Sequence, residues 1–322
     1  MQLIRGLHNL RASHRGSVAT IGTFDGVHLG HQAILRQLAE VAVRHGLPSV
    51  VIVFEPQPHE YFARHEAPAR LMRLREKLIA LERAGVERVL CLQFNEAFRR
   101  LSADEFVSQV LLDGLGIKHL VVGDDFRFGC DRRGDFALLR AMGKREGFGV
   151  TDTCTLTMQG ERISSTRIRE LLAAGDFIRA EACLGRPFTV TGRVDHGRKL
   201  GRELGVPTAN IRLKRFRSPL AGVFVISALV AGRRYHGVAN VGVKPTLGGA
   251  QEPLLEVHLF DFERDIYGWP VEVHFHAKLR EEQRFASLDA LKAQLHEDIR
   301  RGRGFFAALD ANTDRVLTND HE

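Results

Sequence analysis

Cysteine is scarce in this chain, with four in 322 residues. Cys91, Cys130, Cys154 and Cys183 nowhere stand at C-x-x-C spacing, so neither a zinc site nor a dithiol redox motif is suggested. Free thiols fit a reducing compartment. No apolar run approaches the roughly 20 residues that a membrane-spanning helix needs. The opening residues, Met1-Gln-Leu-Ile-Arg-Gly, lack the charged-then-apolar order of a secretion signal. A cytoplasmic protein without a membrane partner is expected. Long basic runs are missing as well, despite a net charge of +7. The arginines are interleaved with glutamates, as in Arg73-Leu-Arg-Glu-Lys77, which argues against a nucleic-acid partner. Anionic small-molecule substrates such as nucleotides account for the charge.

Hydrophobic residues make up 44% and charged residues 26%, as in ordinary globular proteins, and the length accommodates two domains. The most informative stretch is Thr20-Ile-Gly-Thr-Phe-Asp-Gly-Val-His-Leu-Gly-His31. An apolar strand, Val18 to Ile21, runs into a turn carrying Gly22, Phe24, Asp25, Gly26 and Gly30. A helical pattern with Ile34, Leu35, Leu38, Ala42 and Val43 follows. Strand, glycine turn and helix aim backbone N–H groups and a positive helix end at an anion. His28 and His31, three positions apart, can face one ligand. Imidazoles there donate hydrogen bonds to phosphate and, if protonated, offset its charge.

Further along, Pro48 to Phe54 reads as a buried strand that ends in the proline-bearing loop Glu55 to Phe62, where Tyr61 and Phe62 can stack on a planar ring. Helical spacing is expected over Arg70 to Ala84 and Ala103 to Asp113, with Ser102 and Glu105 as a capping box. Strands are expected at Val89 to Phe94 and His119 to Gly123. This alternation predicts a mostly parallel sheet with helices on both faces. The segment Gly123-Asp-Asp-Phe-Arg-Phe-Gly129 leaves the last of these strands, and Asp125 is a candidate for nucleotide or metal contact. In Ile163-Ser-Ser-Thr-Arg-Ile-Arg169, Ser164, Ser165 and Thr166 open a helix, and hydroxyls with Arg167 at a helix N-terminus suit a polyphosphate.

After Gly185-Arg-Pro187 the composition changes. Strand-like segments at Phe188 to Val194, Gly222 to Val230, Arg234 to Val241, Leu254 to Phe262 and Val271 to Leu279 predict an antiparallel sandwich or barrel. One helix follows over Leu288 to Arg301. The residues 310–322 read as a polar, mobile tail. The basic loop from His196 to Gly205 carries Gly197, Lys199 and Gly201, a phosphate-wrapping composition. Thr208 and Asn210 offer neutral oxygens on one side of a strand, a reasonable part of a Mg²⁺ shell. Glu256 sits in an otherwise apolar strand. It is either a base for a hydroxyl attacking ATP or a carboxylate on the exposed face, and the alternation with Leu255 and Val257 favours the latter.

These motifs resemble, in order, the bacterial bifunctional riboflavin kinase/FAD synthetase family. The resemblance rests on Gly22-Thr-Phe-Asp-Gly-Val-His-Leu-Gly-His31, Ile163-Ser-Ser-Thr-Arg-Ile-Arg169, Pro207-Thr-Ala-Asn210, Gly237-Val-Ala-Asn-Val-Gly-Val-Lys-Pro-Thr246, Leu255-Glu-Val-His258 and Asp265-Ile-Tyr-Gly268. It covers about Gly22 to Phe306. It implies a Rossmann-like α/β nucleotidyltransferase domain over residues 1–186 and a mainly antiparallel β-barrel riboflavin kinase domain with a C-terminal helix over 187–309. The implied cofactors and substrates are ATP, Mg²⁺, riboflavin, FMN and FAD, with apo-flavoproteins as acceptors of FAD. The implied catalytic residues are His28, His31 and Glu256, with Thr208 and Asn210 on the metal. The implied ligand-binding residues are Gly22, Phe24, Asp25, Gly30, Phe62, Asp125, Phe128, the stretch Ser164 to Arg167 with Arg169, and the Gly197, Lys199 and Gly201 loop. Two alternatives differ in kind. One is a nucleotidyltransferase for another phosphorylated acceptor with a non-catalytic second domain. The other is a basic RNA-binding protein, which would bind RNA tightly in a salt-sensitive way and have no flavin affinity.

Overall fold

The structure is a computed structural model that describes residues 1–197, 205–245 and 251–319. The chain divides into two compact units, 1–167 and 168–322.

The first unit is a six-stranded parallel sheet. Its strands are β1 (Gln2–Arg5), β2 (Ser17–Ile21), β3 (Ser49–Phe54), β4 (Arg88–Leu92), β5 (Ile117–Gly123) and β6 (Gly149–Thr153), in the order β1-β4-β3-β2-β5-β6. Both faces are covered. Alternate residues such as Ala19, Ile52, Leu90 and Leu120 pack on one side, and Val18, Val51, Val89 and Val121 on the other. Burial on both faces is why these strands read as continuous apolar runs. β1 and β6 were not legible. β1 is four residues with one buried side chain, and β6 is partly exposed throughout.

Helix α1 (Leu29–His45) follows β2 and ends at Gly46, whose φ of 62° is the left-handed cap that glycine supplies without strain. The loop expected from Glu55 to Phe62 contains a short helix, α2 (Pro58–Ala63), because Pro58 occupies its first turn, where a missing N–H costs nothing. Helix α3 (Leu74–Arg83) begins four residues later than periodicity suggests. The N–H groups of Leu71 and Met72 donate to the Asp25 carboxylate, so this segment stays out of the helix. Beyond β4 come α4 (Glu96–Arg99) and α5 (Ala103–Phe106), the latter with the reciprocal Ser102–Glu105 cap. The chain then runs as a π-helix through Leu112. Helix α6 (Phe136–Glu146), a hairpin of β7 (Thr157–Met158) and β8 (Glu161–Arg162), and the start of α7 (Ser165–Ala174) complete the unit.

The second unit is a closed antiparallel barrel. Its strands are β9 (Thr189–Asp195), β10 (Ala209–Arg212), β11 (Gly222–Val230), β12 (Arg233–Pro245), β13 (Gln251–Leu259) and β14 (Pro270–Arg280), in the order β10-β13-β12-β11-β14-β9. Closure decides between the sandwich and the barrel. Helix α8 (Phe177–Leu184) groups with the barrel rather than with the sheet, since Phe177 meets Phe224 edge-on and stacks with Phe275. The unit division therefore lies upstream of Pro187. Helix α9 (Leu288–Asn319) docks on the barrel through Phe306, which stacks on His236 at 3.7 Å. It continues through 310–319, part of the segment read as a tail, because no proline stops it.

Asp298 of α9 is 1% exposed and accepts from Arg280 of β14 at 2.7–3.1 Å and from Gln294 at 3.0 Å. Removing one member of a buried ion pair leaves the other uncompensated. Asp298→Ala should therefore lower the stability of the second unit by about 3 kcal/mol, measured by denaturant unfolding against Asp298→Asn.

Candidate active site

The sheet order reverses between β2 and β5, and in open α/β sheets ligands bind outside the carboxyl ends of strands at such a switch point. The His28 turn leaves β2 there, and the Gly123–Gly129 segment leaves β5 there. His28 caps α1, and its Nδ1 accepts the backbone N–H of His31 at 3.3 Å. With Nδ1 accepting, the proton of a neutral His28 ring sits on Nε2. The two imidazoles stack, with centroids 3.7 Å apart, and Phe24 lies against His31 at 5.0 Å. Gly30 lets the chain pass close by, since a Cβ there would lie 3.1 Å from the His28 ring and 3.5 Å from the Ile163 carbonyl. The starts of α1 and α7 thus converge.

Asp25 holds this convergence from behind. It is 1% exposed. Its carboxylate accepts from Leu71 and Met72 at 3.0–3.1 Å, and its carbonyl accepts the Ser165 hydroxyl at 2.8 Å. Phe24 and Val27 adopt φ of 46° and 41°, which is strained for residues with a Cβ and is tolerated because both are buried. Asp25, Phe24 and Phe128 were expected to touch the nucleotide or flavin, but all three side chains face the core. Phe128 packs with Phe106 and Phe126.

The remaining candidates lie nearer the surface. Phe62 is 63% exposed, edge-on to Tyr61 and Phe94, and presents an aromatic face to solvent. Asp125 is exposed and pairs with Arg162 at 2.6 Å. Ser164 caps α7 by accepting the Arg167 N–H at 3.2 Å, and Arg167 pairs with Glu161 at 2.7 Å. Thr166 is exposed, and Gly22 and Arg169 are half-buried. Burial, then His28 and Lys77, hold His31 well below the ordinary imidazole value. The His31 ring is therefore neutral at neutral pH.

The barrel carries a second cluster on its outer face. Leu255 and Val257 fill the interior, so Glu256 faces outward, as alternation suggested, yet half-buried. Its register partners on the two flanking strands are Asn210 and Asn240. Gly197 abuts Asn210, and any Cβ there would clash with the amide. Thr208 is half-buried just before β10. Lys199 and Gly201 lie outside the described residues. Sequence reading passed over Asn240 and Glu282. The Asn240 amide donates to Glu282 at 3.1 Å, and the Asn240 Oδ1 is buried without a partner among the described residues. Asn240 stood inside a quoted motif, whereas nothing local marked Glu282. Among the described residues no three His, Cys, Asp or Glu side chains form a metal cage. The neutral oxygens of Thr208 and Asn210 beside one carboxylate fit Mg²⁺, which keeps waters and takes ATP oxygens.

Two family models match in sequence, FAD synthetase over residues 10–167 and riboflavin kinase over residues 184–306. The chain is 56% identical to a bifunctional riboflavin kinase/FMN adenylyltransferase of Pseudomonas fluorescens over 95% of its own length and 98% of the relative's. The namesake proteins of Haemophilus influenzae and Escherichia coli are each 50% identical over 95% of this chain, and over 99% and 98% of theirs. The chain belongs to the bifunctional riboflavin kinase/FMN adenylyltransferase family. A crystal structure from Streptococcus pneumoniae, described as a macrolide-efflux protein, superposes with a TM-score of 0.78 at 31% identity, over 92% of this chain and 97% of that one. No helix among the described residues is long and apolar enough to cross a membrane.

Within this family member, Asp25 is the tie between three segments. Asp25→Ala should speed amide exchange at Leu71 and Met72 and destabilise the first unit by about 2 kcal/mol, read by hydrogen exchange and thermal unfolding.

Proposed function

We propose that this chain carries out both reactions of its family, one in each unit: phosphorylation of riboflavin to FMN, then adenylylation of FMN to FAD. The observation that carries this reading is the presence of two separate clusters, His28–His31 with the start of α7, and Thr208–Asn210–Glu256 on the barrel, each inside its own family match.

In the kinase reaction the riboflavin 5′-hydroxyl attacks the γ-phosphorus of ATP, and ADP leaves. Glu256 orients that hydroxyl and accepts its proton. Asn210 and Asn240 flank the carboxylate in register on the two neighbouring strands. Thr208 and Asn210 would hold Mg²⁺, which when bound neutralises charge on the phosphates.

In the adenylyl transfer an FMN phosphate oxygen attacks the α-phosphorus of ATP, and pyrophosphate leaves. The nucleophile is already an anion, so the protein's work is positioning and charge stabilisation. His28 donates from Nε2 and His31 as a neutral ring to the α- and β-phosphates. Ser164, Thr166 and Arg167, with the N–H groups at the start of α7, take the leaving pyrophosphate. Gly22 and Gly30 admit the nucleotide close to the backbone, and Phe62 stacks on the flavin ring, with Asp125 at the rim. In the barrel, the loop with Gly197, Lys199 and Gly201 wraps the phosphates of the second ATP. The reading places the chain in the cytoplasm, with apo-flavoproteins as acceptors of its FAD.

Incubation with riboflavin, ATP and Mg²⁺ followed by chromatography tests both steps. His28→Ala with His31→Ala should stop FAD formation and leave FMN formation intact. Glu256→Gln should lower FMN formation from riboflavin by about 10²-fold or more while FAD formation from added FMN persists. Parallel loss of both activities in folded variants would overturn the assignment of separate sites.

A further inference from the structure

Ser227 of β11 is 1% exposed, and its hydroxyl meets two side chains. Arg234 of β12 donates to it at 3.1 Å, and His276 Nε2 of β14 lies 2.9 Å away. A guanidinium accepts no proton. Among the described residues, His276 is therefore the group within reach that can accept from the Ser227 O–H. The His276 ring is then neutral, with its own proton on Nδ1. Its other neighbours are rings of α9, with Phe306 edge-on at 5.5 Å and Phe305 at 6.1 Å. Phe306 also lies flat on His236, the register partner of Ser227 on β12. Phe305 and Phe306 join Val225, Val238 and Phe260 in one apolar cluster between helix and barrel.

The helix has a weak point above this patch. Gly302 and Gly304 lie inside α9, where glycine is the least favourable residue after proline. The close approach requires Gly302, since a Cβ there would lie 2.7 Å from the Val238 side chain. Before the glycines, Asp298 ties the helix to Arg280. After them, Phe305 and Phe306 hold it by ring contacts. We infer that His276 is an acid-released latch: its neutral ring seats the Phe305–Phe306 turn of α9 on the barrel, and its protonation lets the helix come away from Gly302 onward. A protonated ring carries N–H on both nitrogens, so the Ser227 O–H loses its acceptor in a buried place. It also sets a new charge beside Arg234 and His236 of β12 and His274 of β14. The nearby carboxylates act on His274, Glu272 at 2.9 Å and Glu181 from α8. From α9 the ring is faced by Phe305 and Phe306. Burial first, then His274, Arg234 and His236, push the His276 imidazole down to about 4. A histidine held below its ordinary value of 6.5 stabilises the docked state fully above that value, and the contribution is lost as pH falls toward about 4.

Hydrogen exchange of the full chain, followed by mass spectrometry, reads the latch directly. In peptides covering 302–311, protection corrected for the intrinsic pH dependence of exchange should fall by about tenfold or more between about pH 7.5 and about pH 5. Peptides of β11 should keep theirs, which separates release of the helix from unfolding of the barrel. His276→Gln keeps an acceptor at the same reach and does not titrate, so its α9 protection should be equal at both pH values. Ser227→Ala removes the hydroxyl that requires a neutral ring. It should shrink the change, and it serves as the second variant should the glutamine protein not fold. Equal loss of protection in the native and His276→Gln chains, no loss in the native chain, or loss shared by β11 overturns the inference and leaves the Ser227–His276 pair a packing contact.

Discussion

The Asp25 carboxylate is the constraint on which the first unit's site depends. Three segments far apart in sequence meet at this one residue: the turn after β2, the stretch before α3 and the start of α7. A carboxylate that accepts backbone N–H groups in a buried place exchanges solvation for directional bonds, and those bonds are lost together if the segments separate. The tie holds Phe24 and Val27 in left-handed backbone conformations that neither would adopt alone. It also keeps the starts of α1 and α7 close together. His28 and His31 can be presented as a stacked pair only because the turn beneath them does not move.

The two units solve related problems by different means. In the parallel sheet the candidate site lies at the carboxyl ends of strands where the order reverses, and the helix starts there present backbone N–H groups suited to an anion. In the barrel the interior is filled by side chains such as Leu255 and Val257, so the candidate cluster lies on the outer face. There, register does the positioning: Asn210, Glu256 and Asn240 sit side by side on three adjacent strands. Gly197 and Gly242 leave room where a Cβ would meet Asn210 or Glu282.

Much of the candidate site could be read as a grouping because its members are close in sequence. His28, Gly30 and His31 lie within four positions, Ser164 to Arg167 are consecutive, and Thr208 and Asn210 are two apart. Residues whose surroundings depend on distant partners were less legible. Asp25 and Phe128 have polar or glycine neighbours in sequence, yet both are buried. Arg70 to Arg73 looked helical, since periodicity cannot register that Asp25 captures two of their N–H groups. Lys77, buried in the structure, falls on the same helical stripe as Leu74, Leu78 and Leu81, where a lysine breaks the pattern.

The amino-acid sequence by itself determined the alternation of strands and helices in the first half, the run of strands in the second, and the motifs that identify both reactions. These follow from period, turn residues and spacing, which act over a few residues. Only the tertiary structure decided that the strands of the second half close into a barrel, that residues 168–186 group with it, and which members of each motif face solvent or core. Those outcomes depend on pairings such as Phe177 with Phe275 and Asp25 with Leu71, separated by 98 and 46 positions. No local preference encodes contacts at that range, because they form only once the remaining elements have set the distance between them.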